Sequence, residues 1–248
     1  MQKLFKYLRT WLVISLLCLG LGWSLPAQAA TKIDAKLEKQ VLEILREHPE
    51  VIIESVQAYE QKQQAQLKQI QQVFLQDLKT NPQAVIGSSP TTGPADSKTV
   101  LVEFSDFQCP YCAEAHKILK SVVEKHKDNL TLVYKHFPIT SSHPEALPAA
   151  QAAWAAQQQG KFWEYHDALF TNQKQLGEAF YLDMAKKLNL DLQKFNSDRQ
   201  LAITAIGQDI QLAEKLGIMG TPFLVINTEN YTGAIQASEI EKKLSNAS

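Results

Sequence analysis

Cys109-Pro110-Tyr111-Cys112 is the stretch of this chain whose residue types and spacing could do chemistry. Two thiols three positions apart share one side of a helix, close enough to form a disulfide without a large backbone change. The apolar run from Thr99 to Phe104 predicts a buried strand, and the pattern after the thiols predicts a helix reaching about His126. Cys-x-x-Cys between a strand and a helix start points to redox chemistry. Unpaired N–H groups and the positive end of the helix dipole favour a thiolate on the first cysteine, below the ordinary thiol pKa of about 8.5. Pro110 suits the first helical turn, where its fixed φ fits and its missing N–H would have been unpaired. Helical spacing puts Cys112 on a core-facing stripe with Ala115, Leu119 and Val123. Cys109, at the helix end, is within a partner's reach. Cys109 is therefore expected to attack and Cys112 to resolve.

The cysteine count sharpens this reading. The chain has three cysteines, and Cys18 falls in an N-terminal segment that reads as a signal peptide (residues 1–29). Lys3, Lys6 and Arg9 precede an apolar stretch from Trp11 to Leu25, and Ala27-Gln28-Ala29 offers a small-residue cleavage site. An uncleaved anchor is the alternative. Only Cys109 and Cys112 then remain in the exported chain, and a disulfide closing so short a loop stabilises little. The pair is expected to react. Two ligands make a poor structural zinc site, which needs four, so no metal or cofactor is expected beyond the redox pair. A composition of 45% hydrophobic and 21% charged residues, with net charge −1, argues against a nucleic-acid surface.

Before the pair, residues 30–80 read as a helical extension. Leu37, Val41, Ile44 and Leu45 mark a first helix ending before Pro49, and a second continues through Ile52, Val56, Tyr59, Leu67, Ile70 and Phe74. Its apolar stripe packs on the chain's own catalytic domain, is partly disordered, or self-associates as a loose coiled coil. Residues 81–97, rich in Pro, Gly, Ser and Thr, read as a linker. The catalytic domain spans residues 98–248.

Within that domain, Glu103 interrupts the apolar strand. It is either a buried carboxylate with a raised pKa, able to exchange a proton with Cys112, or a solvent-facing side chain. Leu130 to His136 predicts a second strand, parallel to the first across the crossover helix. A helical region fills about Pro144 to Gly217, with helices at Ala149–Ala156, Gly160–Phe170, Tyr181–Leu188 and Asp198–Leu216. Phe162, Trp163, Tyr165 and Phe170 read as core, His166 as a satisfied histidine among those rings, and His116 and His143 as structural or solvated. The chain returns at Gly220-Thr221-Pro222 into an apolar strand, where a cis bond would present the Thr221 backbone to an extended peptide. A short last strand follows between Asn227 and Gly233, and Ser238 with Glu241 makes a capping box for a final helix.

Glu103 to Cys112, Gly160 to Asp167 and Gly220-Thr-Pro-Phe223 together resemble the DsbA-like thiol–disulfide oxidoreductases in order and spacing. The resemblance implies an α/β thioredoxin fold with an inserted helical subdomain, here preceded by the helical extension. It implies Cys109 as nucleophile, Cys112 as resolving thiol and Glu103 as buried acid. Pro110, Tyr111, Thr221 and a cis Pro222 would form the client surface. Arg46 to Glu54 is similar to a segment of the ScsC branch, some members of which oligomerise through it, and that resemblance carries over only a possible homo-oligomer. Cys-Pro-Tyr-Cys differs from the Cys-Pro-His-Cys of the strongest oxidases and equals the glutaredoxin dipeptide.

The expected function is disulfide formation in exported cysteine-containing proteins, in the periplasm or an equivalent bacterial compartment. A membrane redox partner would reset the pair. The alternatives are an ScsC-type isomerase or reductase and, in a different class, a holdase or a Cu(I)-binding protein.

Overall fold

The computed structural model describes residues 34–227 and 237–246. The expected signal segment, with Cys18, and the last strand expected beyond Asn227 lie outside them. No helix among the described residues is long and apolar enough to cross a membrane. The chain divides into two units, up to Tyr59 and from Glu60 on.

In the first unit, helix α1 (Ala35–Glu47) starts at Asp34, whose carboxylate accepts from the Lys36 N–H at 3.0 Å. It stops before Pro49, which opens α2 (Pro49–Thr80) at a position where no N–H is needed. Leu37, Val41, Ile44, Ile52, Val56 and Tyr59 are all exposed. The stripe expected to be covered is open here.

The second unit is built on a four-stranded sheet in the order β1-β3-β2-β4: β1 (Thr91–Thr92), β2 (Thr99–Ser105), β3 (Leu130–His136) and β4 (Phe223–Ile226). Strands β2 and β3 run parallel in register from Thr99↔Leu130 to Ser105↔His136, while β4 lies antiparallel to β2. With a neighbour on each side, β2 is buried over nearly its whole length. Val100, Val102 and Phe104 meet Phe74, Leu75 and Leu78 from the last turns of α2. On the other face Leu101 meets Leu119 and Val122 of α4 (Pro110–Lys125) and Ile240 and Leu244 of α9 (Ala237–Asn246). Alternation along the strand assigns Glu103 to the α4 face.

Between β3 and β4 the chain forms α5 (Ala146–Gln157), α6 (Phe162–Thr171), α7 (Glu178–Lys187) and α8 (Leu192–Lys215). Their alanines and aromatics share one buried cluster with Phe107, Cys109, Cys112 and Tyr134, so the helical insertion and the cysteine pair have a common core. Helix α8 begins six residues before the expected Asp198, because Asp191 caps it by accepting from the Lys194 N–H at 2.9 Å.

Two expectations need correction. The segment expected to be a linker carries α3 (Pro82–Ile86) and edge strand β1, which pairs antiparallel with β3. It is bonded into the unit: Tyr134 N–H donates to Pro90 O at 3.0 Å, and Trp163 Nε1 to Thr91 O at 2.7 Å. Gly93, at φ +100°, passes so near β3 that a Cβ would stand 2.0 Å from the Leu130 carbonyl oxygen. At the C-terminus, Ser238 is the second residue of α9, so it is not the residue that precedes the helix, and Glu241 pairs with Lys125.

Candidate active site

Cys109 is the N-cap residue of α4, in extended conformation (φ −70°, ψ 123°), and Pro110 is the first helical residue. The Cys109 carbonyl accepts from Cys112 N–H at 3.1 Å and Ala113 N–H at 3.2 Å, fixing the first turn. Both thiols are free. Hydrogen bonding from the Cys112 thiol, helped by Thr221 and the N–H groups of Cys112 and Tyr111, lowers the Cys109 pKa to about 5 against the pull of burial. Burial drives Cys112 the other way, far above the ordinary thiol value, with the Cys109 thiolate and Glu103 adding to the rise. One turn of helix thus holds a stabilised thiolate beside a thiol that resists ionisation.

The expected accessibility of Cys109 is corrected, because the residue is only 4% exposed. The loop before β4 folds over it, its Sγ lying 3.4 Å from the Thr221 carbonyl oxygen, to which the protonated thiol donates. The Thr221–Pro222 peptide is cis. Around this covered sulfur, Tyr111 and Met219 stand out at 74% and 94% exposure. The buried stripe of α4 runs through Cys112, Ala115, Leu119 and Val122, with Val123 half-buried at its edge.

Glu103 is buried at 1% exposure between Tyr134 of β3 and Leu224 of β4. Burial raises its pKa to about 7, with the Ser105 hydroxyl pulling down. Its Oε1 has no hydrogen-bond partner among the described residues. The structure therefore brings Cys109, Cys112, Glu103, Thr221 and Pro222 into one neighbourhood, with Pro110 and Tyr111 at its exposed rim.

Two positioning groups escaped the sequence reading. Asp106 is buried; its Oδ1 accepts from Gln108 N–H at 2.8 Å, and its Oδ2 from Ile139 N–H at 2.9 Å beside His143 Nδ1 at 2.7 Å. Gln173 reaches in from the insertion, its Nε2 donating to the carbonyls of Phe107 and Cys109, each at 2.8 Å. An Asp two residues after a buried-strand Phe was a usable signal for a turn cap. Nothing local marked Gln173.

His166 is not the satisfied histidine expected. Its Nδ1 lies 3.3 Å from Asp167, but its Nε2 is buried without a partner among the described residues. His116 is half-buried, stacked on Phe170, with Nε2 3.6 Å from Asp167. Burial holds both imidazoles below the usual histidine range, His116 at about 4.

The family model described as Thioredoxin matches residues 86–246, and the chain belongs to that family. A second model, the Copper resistance protein ScsC N-terminal domain, matches residues 35–66. A thioredoxin-like oxidoreductase from Silicibacter pomeroyi DSS-3 superposes with TM-score 0.59 at 30% identity, covering 68% of this chain and 98% of that one. Proteus mirabilis ScsC, in a transitional conformation, gives TM-score 0.58 at 27% identity over 87% of this chain and 98% of its own. Among curated sequences, a Na(+)/H(+) antiporter NhaA 1 from Salinispora arenicola is 35% identical over 158 residues, which is 62% of this chain. The chain spans about a quarter of the length of the curated relatives it matches, 24% in that case.

Proposed function

We propose that this chain is an exported protein thiol–disulfide oxidoreductase that forms disulfides in client proteins through a mixed disulfide at Cys109. The observation that carries this reading is the opposed pair of thiols at the start of α4, Cys109 lowered to about 5 and Cys112 raised by burial. Stabilising the Cys109 thiolate stabilises the reduced form, which makes the Cys109–Cys112 disulfide a better oxidant.

In the forward direction a client thiolate attacks Cys109 Sγ. A client–Cys109 disulfide forms and the Cys109–Cys112 bond breaks, leaving sulfur on Cys112. Glu103, near pKa 7, is suited to give that sulfur its proton and later return to the acid form. A second client thiol, on losing its proton, attacks the first client sulfur and expels the Cys109 thiolate. The client is oxidised by two electrons and the pair is reduced by two. A membrane redox partner would then reoxidise it.

Client contacts fall to Pro110, Tyr111, Thr221 and Pro222, with a groove of about 680 Å³ running from Pro110 and Lys117 to Thr171 and Gln173. Because Cys109 is covered, the client chain must approach along the Thr221 backbone. Export to a periplasmic or equivalent compartment is supported by the basic-then-apolar N-terminal segment and by the likeness to ScsC.

A second reading, an ScsC-type isomerase or reductase, is favoured by the ScsC match over residues 35–66 and by the open apolar side chains on α1 and the start of α2. In that reading those side chains join copies of the chain into a homo-oligomer. Equilibrating the pair with glutathione buffers separates the two. A potential of about −120 mV supports the oxidase; about −200 mV or lower rejects it in favour of a pair kept reduced. A Cys109→Ser, Cys112→Ser double variant that keeps the cellular phenotype would replace both with a holdase, and stoichiometric Cu(I) on the reduced pair with a Cu(I)-binding protein.

A further inference from the structure

Away from the thiols, two imidazoles fifty positions apart in sequence converge on one carboxylate oxygen. His116 comes from α4, His166 and Asp167 from α6. Asp167 Oδ1 lies 3.6 Å from His116 Nε2 and 3.3 Å from His166 Nδ1. One ligand atom from each residue falls within 4.8 Å of the other two. A tetrahedral ion with bonds of about 2.0–2.1 Å holds its ligands roughly 3.4 Å apart, close to both measured separations. Lys120 engages the opposite oxygen, Oδ2, so it leaves Oδ1 to the histidines.

The arrangement is held in place. His116 stacks on Phe170 at 5.1 Å and meets His166 edge-on at 5.0 Å. All three residues line a cavity of about 150 Å³, which leaves room for water ligands. The same cavity is lined by Glu103, buried at 1% exposure, whose Oε1 is unpartnered among the described residues. An uncompensated buried carboxylate is a costly feature in a lining, and a cation in the cavity would relieve it.

We propose that His116, His166 and Asp167 bind a divalent transition-metal ion, with water completing its coordination. Two imidazoles and a carboxylate suit a borderline ion such as Zn²⁺ or Co²⁺, and the site needs no thiolate.

The test titrates the full chain with Zn²⁺ by calorimetry and with Co²⁺ by visible absorption, the Cys109–Cys112 pair being oxidised so that neither thiol is a ligand. One saturable ion per chain, with the intense bands of a low-coordinate Co²⁺ centre, is expected. His116→Gln and Asp167→Asn should abolish saturation. Lys120→Met leaves the ligands intact and removes a competing charge from Asp167, so it should tighten binding several-fold. Absence of saturable binding overturns the proposal. So does binding that survives in both ligand variants, or an affinity that Lys120→Met leaves unchanged or weakens.

Discussion

The Cys109 sulfur stands 3.4 Å from the carbonyl oxygen of Thr221, a residue 112 positions further along the chain. That contact places the first thiol under the loop that enters β4. In the proposed function, an extended client segment lies along this loop while a client sulfur lines up with Cys109.

The thiolate absorbance of the reduced protein should titrate with a midpoint at about pH 5 and vanish in Cys109→Ser. The folded pKa lies below the unfolded value of about 8.5. Stability from this group is therefore complete above about pH 8.5 and is lost as the pH falls through about 5. Urea unfolding of the reduced protein across that window should show the loss.

Glu103 has the opposite sign. Its folded pKa, about 7, exceeds the unfolded value of 4.5, so stability is greatest below 4.5 and falls as the pH rises to about 7. Glu103→Gln removes that slope. In the oxidised protein the variant should match wild type near the acid end and exceed it above about pH 8, by on the order of 3 kcal/mol. The pH dependence of mixed-disulfide release near neutrality should flatten in the same variant.

Asp106→Ala deletes the acceptor for the N–H groups of Gln108 and Ile139. Leaving donors unpaired in so covered a place costs about 1–3 kcal/mol each, so denaturant midpoints should fall clearly. Since Gln108 directly precedes Cys109, the Cys109 alkylation profile should shift as well.

Gln173→Leu removes both donors that hold the Phe107 and Cys109 carbonyls. A loss of about 1–3 kcal/mol is expected by urea unfolding. Faster amide exchange at Cys112 and Ala113, whose N–H groups bond the Cys109 carbonyl, should accompany it.

Chemistry and strand order were easier to read than coverage. The pair itself, the central strand and the parallel crossover each rest on local signals: paired cysteines, an unbroken apolar run and a helix-length connection. Glu103 stayed ambiguous because its burial depends on β4, which reaches β2 only in the folded unit. β1 has two threonines and no pattern, so a stretch rich in turn residues concealed an edge strand. The cover over Cys109 and the grouping of His116 with His166 and Asp167 depend on residues far apart in sequence. No spacing rule reaches across such gaps.

The most direct measurement is capture of the covalent intermediate. The Cys112→Ala variant, incubated reduced with a disulfide-bonded client, should accumulate a mixed disulfide that peptide mass mapping places on Cys109 and that dithiol reductant releases. A folded variant whose Cys109 alkylates at the wild-type rate yet forms no adduct with client disulfides would contradict thiol–disulfide exchange at this site.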